Sequence, residues 1–142
     1  MTVKKVLRRF TAAATEIPRI HYREGLESGF RGDYESAIES FDRVNYITIG
    51  SSFWTNQSQY FKACAYYELE QYDKAVKEFK KFLETNENET PGWNNLGAAY
   101  LEGNKHVDAI PCFEKVIELE CKKKNPDEDL LEAAWNNLGT IY

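Results

Sequence analysis

The residues that could perform chemistry are scattered along the chain without the spacing that catalysis requires. The histidines, His21 and His106, stand far apart, and the three cysteines form no C-x-x-C pair. Carboxylates recur four residues apart, as at Glu114 and Glu118, which is the spacing of a solvated helix face. The sequence contains no glycine-rich phosphate loop, no G-x-S-x-G and no H-E-x-x-H motif. It therefore predicts a protein that is not an enzyme and that binds neither a metal nor a cofactor.

Composition narrows the class of protein further. The chain has 142 residues, of which 42% are hydrophobic and 14% aromatic, enough for one domain with a continuous core. Acids outnumber bases, 23 to 18, and the net charge of −5 argues against a nucleic-acid partner, because such partners are bound by neutralising their phosphates. No apolar run approaches the ~18 residues of a membrane span. Since no disulfide framework is indicated, we expect a cytoplasmic protein.

Charge is concentrated at the start of the chain. Residues 1–23 contain six basic residues and a single acid, Glu16. We interpret residues 1–17 as a basic helix or extension that precedes the main domain. Two alternatives follow from the same residues: a transit peptide that directs the protein to an organelle, and a basic amphipathic helix that contacts an anionic membrane. We favour the plain helix, with no membrane partner.

A repeat underlies the rest of the chain. The stretch Trp93–Tyr100 returns as Trp135–Tyr142, and both read W-N-N-L-G-x-x-Y. A small residue followed by an alanine twelve positions later and a phenylalanine four positions after that occurs three times, at Gly25/Ala37/Phe41, Ala63/Ala75/Phe79 and Gly97/Ala109/Phe113. The pattern opens again at Gly139. Small residues let two helices pack closely, and the phenylalanines fill the space between helix pairs.

These residues resemble the tetratricopeptide repeat family, whose signature is W-x2-L-G-x2-Y…A-x3-F…P. In the first two copies, His21 and Gln59 stand where the family has tryptophan. The resemblance implies an all-α fold, a right-handed superhelix of antiparallel helix pairs with about three and a half repeats after an N-terminal helix. We assign the repeat domain to residues 18–142, with repeats at 18–51, 56–89 and 90–123 and a partial repeat at 132–142.

The repeat pattern also predicts where helices begin and end. We expect an opening helix near 3–16, then helices near 18–30, 34–46, 54–69, 73–85, 91–102, 107–123 and 128–142. Pro111 predicts a late start or a slight bend in the helix near 107–123, because proline lacks a backbone donor. The helix near 128–142 has no following helix in this sequence, so we expect its apolar side to be exposed or covered by another chain.

The resemblance implies a function on a surface, because the first helices of the repeats line a concave groove that takes a peptide or helix of a partner. Carried onto this sequence, the groove positions are Tyr22, Arg23, Leu26, Phe30, Gln57, Tyr60, Cys64, Tyr67, Asn94, Asn95, Ala98, Asn136, Asn137 and Thr140. We predict that Tyr22, Tyr60 and Tyr67 anchor the ligand. Asn94 and Asn136 would hydrogen-bond the ligand backbone, since an amide can pair with both N–H and C=O groups.

Three alternatives remain open at this point. Some groove positions, among them Phe61, Tyr67 and Leu101, could instead pack against neighbouring helices. The chain could self-assemble through its terminal helices, or it could be the repeat region of a larger enzyme or complex. The family's chaperone-binding branch holds a carboxylate with a Lys/Asn clamp, of which only one asparagine matches here. We therefore predict a protein or peptide ligand other than the acidic tails of chaperones.

Overall fold

The computed structural model describes residues 2–48 and 53–142, and side chains throughout these ranges except at 6–15. Within those ranges the chain forms seven α-helices and no strand. They are α1 (Val3–Phe30), α2 (Tyr34–Ile47), α3 (Phe53–Glu68), α4 (Tyr72–Thr85), α5 (Thr90–Glu102), α6 (His106–Cys121) and α7 (Glu128–Ile141). The predicted all-helical class is confirmed. The predicted end of the first repeat, near residue 51, lies outside the described residues.

The start of the chain differs from the prediction. We expected a break between an opening helix and the first repeat helix, but α1 runs without interruption from Val3 to Phe30 and contains Pro18. A proline inside a helix removes one backbone hydrogen bond. Pro18 is fully buried, and burial of its apolar ring offsets part of this cost. The division between residues 1–17 and the repeats therefore remains a prediction that no helix break marks.

Three equivalent turns join the helices of the pairs, and the sequence predicted all three. At their centres Gly32, Glu70 and Asn104 have φ of 79°, 58° and 60°, in the left-handed region. The next residue donates its backbone N–H to the carbonyl five positions earlier, as in the 2.7 Å bond from Lys105 to Tyr100. This bond is the one that closes a helix C-terminus in the Schellman motif. Each turn reverses the chain within three residues, and α1 packs against α2 and α5 against α6.

The first of two compact units comprises Met1–Ala65. In it α1 packs against α2, and an ideal Cβ placed on Gly25 would lie 2.5 Å from Cε1 of Phe41. Side chains of α3 join this core through aromatic rings. The ring of Phe61 lies 6.1 Å from that of Tyr22 and 6.4 Å from that of Phe41. Lys62 of α3 also forms a 2.6 Å ion pair with Asp42 of α2.

The second unit comprises Tyr66–Tyr142. Here α5 packs against α4 and α6, and α7 packs against α6 and α5. The glycine–phenylalanine contact of the first unit recurs, since a Cβ on Gly97 would lie 2.7 Å from Cε1 of Phe113. In both units the glycine is therefore the residue that lets the phenylalanine ring reach the backbone of the neighbouring helix.

The effect expected of Pro111 is not observed at the helix start. Helix α6 begins at His106, one residue before the predicted position, and continues past Pro111 to Cys121. Pro111 is exposed and stands in the second turn, close to the end where backbone N–H groups lack helical acceptors. The prediction of a late start was therefore wrong.

A buried carboxylate fixes the turn between α6 and α7. Glu120 is fully buried and accepts hydrogen bonds from the hydroxyl of Thr90 and the ammonium of Lys123. Its second oxygen accepts the backbone N–H of Asp127 at 2.8 Å, and Asp127 in turn caps α7 by accepting the N–H of Leu130 at 3.1 Å. Glu120 thus links the starts of α5 and α7 to the end of α6.

Candidate functional site

The asparagines predicted to line the groove lie on two helices that contact each other directly. Asn94 and Asn95 belong to α5, and Asn136 and Asn137 belong to α7. Helices α5 and α7 are in contact although α6 separates them in sequence. The structure therefore brings equivalent amides from successive repeats onto neighbouring helices, and this α5–α7 surface is the part of the predicted site that lies within one unit.

The amides of the α5–α7 surface differ in their surroundings. Asn136 is exposed, while Asn94, Asn95 and Asn137 are half-buried. The side-chain amide oxygen of Asn94, Oδ1, is buried and has no hydrogen-bond partner. An unpaired buried acceptor costs about 1–3 kcal/mol. Because the terminal torsion of asparagine rotates over a broad range, a partly exposed Asn94 can turn this oxygen toward a ligand donor.

The other two predicted positions on these helices are small residues. Ala98 is half-buried on α5, one turn after Asn94. Thr140 is exposed on α7, and its hydroxyl donates a 3.0 Å hydrogen bond to the backbone carbonyl of Asn136. The six predicted positions on α5 and α7 are all uncharged residues, so they offer neutral donors and acceptors.

Predicted site residues on α1 fall into different environments. Tyr22 is half-buried in the aromatic core, where its ring lies 5.2 Å from that of Trp54, and burial raises the pKa of its phenol. Leu26 is half-buried as well, whereas Phe30 is 90% exposed at the helix end. Arg23 is exposed, and its Nε lies 3.7 Å from Oε1 of Glu27. Tyr22 thus packs within its own unit, which limits how much of it a ligand can touch.

The predicted site residues on α3 are half-buried, and neighbouring side chains cover part of their surface. Gln57, Tyr60 and Cys64 are half-buried in the first unit, and the ring of Tyr60 stands edge-on to Phe61 at 5.2 Å. In the second unit, Tyr67 lies edge-on to Tyr72 with 5.5 Å between ring centres. Burial, followed by nearby Glu102 and other charges, raises the pKa of Tyr67. Tyr67 therefore remains a neutral hydrogen-bonding group at ordinary pH.

The two histidines lie far apart in sequence on different helices, α1 and α6. His21 shares a 2.8 Å hydrogen bond with Glu24 one turn along α1, and His106 is exposed at the start of α6. Within residues 2–48 and 53–142, no group of His, Cys, Asp and Glu side chains is arranged to hold a metal. Over the same ranges, no helix combines the length and the apolar character that crossing a membrane requires.

Sequence reasoning missed the buried Glu120 of the second unit, because its partner Thr90 lies thirty residues away and carries no local signal. The sequence did predict an uncovered side on the last helix. In the structure Trp135 and Tyr142 of α7 are 60% and 83% exposed, whereas Leu138 is buried.

Helix pairs joined by equivalent turns, with α5 and α7 side by side, define a helical repeat protein. Residues 57–89 and 91–120 each match the sequence model of the tetratricopeptide repeat, so this part of the chain contains two such repeats. The resemblance stated from the sequence is thereby confirmed.

Relatives and solved structures agree with this assignment. The chain is 29% identical over 105 residues to mouse tetratricopeptide repeat protein 12, covering 71% of this chain and 14% of that protein. It is 26% identical over 98 residues to the small glutamine-rich tetratricopeptide repeat-containing protein 2 of Saccharomyces cerevisiae, covering 68% of this chain and 27% of that one. The chain thus spans less than a third of either relative.

Among solved structures, the fold is similar to the second tetratricopeptide repeat domain of the human RPAP3 protein, determined in complex with the HSP70 peptide SGPTIEEVD. The TM-score is 0.69 at 22% identity, and the match covers 87% of this chain and 97% of that domain. At this identity, the likeness establishes the fold.

Proposed function

We propose that this chain is a non-catalytic scaffold that binds a peptide or a helix of a partner protein along the first helices of its repeats. The observation that carries the proposal is the direct packing of α5 on α7, which places Asn94 and Asn136 on adjacent helices. Paired amides at a repeat spacing suit a ligand whose backbone passes from one repeat to the next. The RPAP3 domain with its bound HSP70 peptide supports this use of the fold.

The recognition chemistry would be largely neutral. Asn94, Asn95, Asn136 and Asn137 bind backbone N–H and C=O groups irrespective of the ligand side chains. The exposed part of Tyr67, which lies in the same unit as these amides, would add contact area at a low cost in side-chain entropy. Specificity would then come from apolar ligand side chains that reach Tyr67, while the amides hold the ligand backbone.

The proposed ligand is not the acidic tail of a chaperone. A carboxylate clamp needs Lys and Arg side chains at defined groove positions, and this chain has Pro91 and Asn95, or Ala133 and Asn137, at the positions where the family has Lys and Arg. Arg23 lies at a predicted groove position, but Glu27 beside it offsets its charge. Titration with the peptide SGPTIEEVD should therefore give no heat of binding at micromolar concentrations. Micromolar affinity would contradict this part of the proposal.

The test of the proposal begins with selection of binding peptides from a displayed random library. Affinity of a selected peptide should fall about tenfold in Asn94→Ala and again in Asn136→Ala, as expected for lost hydrogen bonds in a binding site. Asn88→Ala and Asn125→Ala are matched controls, because both residues are exposed in turns. For the aromatic part, Tyr67→Ala is compared with Tyr46→Ala, which changes an 89% exposed tyrosine on α2. Equal losses in the controls would refute the assigned surface.

The cellular compartment also belongs to the proposal. We place the protein in the cytoplasm, and the alternative is an organelle reached through the basic start of the chain. Expression of the chain with and without residues 1–17, each fused to a fluorescent protein, distinguishes the two. Identical diffuse cytoplasmic signals support the first, and loss of an organelle signal on deletion supports the second.

A further inference from the structure

An open cavity lies where two of the three equivalent turns come together in the second unit. It has a volume of about 510 Å³ and is lined by residues 70–74 and 102–105, and we call it the turn cavity. Nζ of Lys105 pairs with Oδ1 of Asp73 at 2.7 Å, which ties one turn to the other. The volume lies within the range of about 300–1,000 Å³ that is usual for ligand pockets.

A pair of tyrosine rings forms the aromatic part of this site. Tyr72 lines the turn cavity beside the opposite turn, where a Cβ on Gly103 would lie 3.4 Å from its own Cβ. The ring of Tyr67 packs against that of Tyr72, with 5.5 Å between the ring centres and 70° between the planes. In an edge-on contact of this kind, one ring keeps both faces free of its partner. Because both tyrosines are half-buried, part of the aromatic surface is open to a ligand.

The charge around these rings is negative. Burial raises the pKa of the Tyr72 phenol, and so do the charges of three nearby exposed carboxylates, those of Glu70, Glu102 and Glu68. Glu102 and Glu68 act in the same direction on the pKa of Tyr67, after burial. Carboxylates beside the electron-rich face of a ring favour a cation, because the ring quadrupole and the negative charges attract it together.

The basic side chains of the turn cavity are engaged by other groups. Lys105 is held in the ion pair that joins the turns, and Nζ of Lys74 lies 5.5 Å from the centre of the Tyr66 ring. Glu70 and Glu102 also line the cavity. These two carboxylates are therefore the groups that can attract a cation from a ligand.

We propose that the turn cavity binds an arginine side chain of the partner peptide. A guanidinium group is planar, so it can stack on a tyrosine face while it donates two hydrogen bonds to one carboxylate. Glu102 is the best placed acceptor, because it lines the cavity and its charge acts on both Tyr67 and Tyr72. The aliphatic stem of the arginine would supply the apolar contact to Tyr67. This inference rests on the proposed function, since it gives the ligand of the α5–α7 surface a basic residue where that ligand reaches Tyr67.

The first test requires no binding at the α5–α7 surface. The tripeptide acetyl-Gly-Arg-Gly-amide is titrated into ¹⁵N-labelled protein to about 20 mM, because a single side chain binds weakly. The backbone N–H signals of Tyr72 and Gly103 should shift, and the same tripeptide with uncharged citrulline should leave them in place. With lysine, which cannot stack flat on a ring, the shifts should be about threefold smaller. Equal shifts with citrulline would overturn the site, and equal shifts with lysine would overturn the choice of arginine.

Variants of the chain locate the contact. In Glu102→Gln, the shifts caused by the arginine tripeptide should fall about fivefold, because an ion pair with the guanidinium is lost. Glu114→Gln removes an exposed carboxylate from α6 and is the matched control, which should change nothing. Tyr67→Leu should reduce the shifts about threefold, since a ring face is lost. Unchanged shifts in Glu102→Gln, or equal losses in Glu114→Gln, would contradict the inference.

A peptide selected from the random library separates this inference from the proposed function. Replacing its arginine by citrulline should weaken binding to the wild-type chain about tenfold, but less than twofold in Glu102→Gln, because the two changes remove one interaction. Asn94→Ala should weaken the arginine and the citrulline peptides alike. If Asn94→Ala weakens neither, the amide surface is refuted and the turn cavity stands. If Asn94→Ala weakens both and citrulline replaces arginine without loss, or if selected peptides lack arginine, the turn cavity alone is refuted.

Discussion

The ring of Phe113 occupies the space in which a side chain on Gly97 would stand, with Cε1 only 2.7 Å from an ideal Cβ position. Phe113 is completely buried, so its ring is enclosed by the protein on all sides. The same relationship joins Phe41 to Gly25 in the first unit. Close approach of paired helices, which the small residues allow, is therefore the physical basis of the repeat in both units.

This contact predicts opposite effects at two equivalent glycines. Gly97→Ala should lower the free energy of unfolding by about 1–3 kcal/mol, because the added methyl group overpacks the core. Gly139→Ala should raise it by about 0.5–1 kcal/mol, since alanine is the better residue in an exposed helix. Urea denaturation followed by circular dichroism measures both. Destabilisation of equal size at the two positions would contradict the role given to Phe113.

The buried Glu120 predicts sensitivity to acid. Burial acts to raise the pKa of this carboxyl group, but hydrogen bonds from the N–H of Asp127, from Lys123 and from Thr90 outweigh burial and lower it below the ordinary 4.5. A folded-state pKa below the unfolded one contributes stability that is present above the ordinary value. That contribution is lost as the pH falls through the lowered pKa.

The matching experiment compares wild type with Glu120→Gln. At pH 7 the variant should be less stable by about 2 kcal/mol, because the amide fails to satisfy all three donors. As the pH falls through the lowered pKa of Glu120 the difference should shrink, because the carboxyl group of folded wild type then becomes neutral, as the amide of the variant already is. Asp129→Asn, at an exposed acid of the same turn region, is the control. A difference that is constant from pH 7 to pH 3 would contradict the ionised state of Glu120.

The turn at Glu70 is strained in a way that substitution can relieve. Glu70 has φ of 58°, a conformation in which a residue with a Cβ is disfavoured. Glu70→Gly should raise the free energy of unfolding by about 0.5–1 kcal/mol. Lys77→Gly, at an exposed position inside α4, should lower it by a similar amount. A thermal denaturation series that gives both changes the same sign would rule out the explanation.

Cysteine reactivity should follow burial. Burial raises the pKa of the Cys112 thiol to about 12, whereas Cys121 is exposed at the end of α6. Because the thiolate is the reactive form, iodoacetamide at pH 8 should modify Cys121 and leave Cys112 intact until the protein unfolds. Peptide mass spectrometry after timed quenching resolves the two sites. Modification of Cys112 at the rate of Cys121 in folded protein would show that α6 does not pack as described.

Much of the fold could be predicted because its determinants are local in sequence or periodic. The spacing of Gly97, Ala109 and Phe113 specifies a helix pair, and the turn at Asn104 has the residue type that a left-handed conformation tolerates. The helix through Pro18 could not be predicted, because the burial that offsets part of the cost of this proline has no signal in the neighbouring sequence. Glu120 could not be predicted either, since its partners come from three separate elements.

The candidate site was predictable only in part. Family positions located Asn94 and Asn136 on two helices that do contact each other. They did not reveal that Tyr22 packs against Trp54 and Phe61, because aromatic residues suit a core and a binding surface equally well. Distinguishing these roles requires the three-dimensional neighbours of each ring.

Amide resonances of the asparagine side chains test the central claim most directly. A peptide selected for binding is titrated into ¹⁵N-labelled protein, and the Nδ2–H signals are followed in two-dimensional NMR spectra. The account predicts that the side-chain signals of Asn94 and Asn136 shift together and saturate with the peptide, while those of Asn88 and Asn125 stay in place. Saturable binding that leaves Asn94 and Asn136 unshifted would contradict the proposal that the α5–α7 surface holds the ligand.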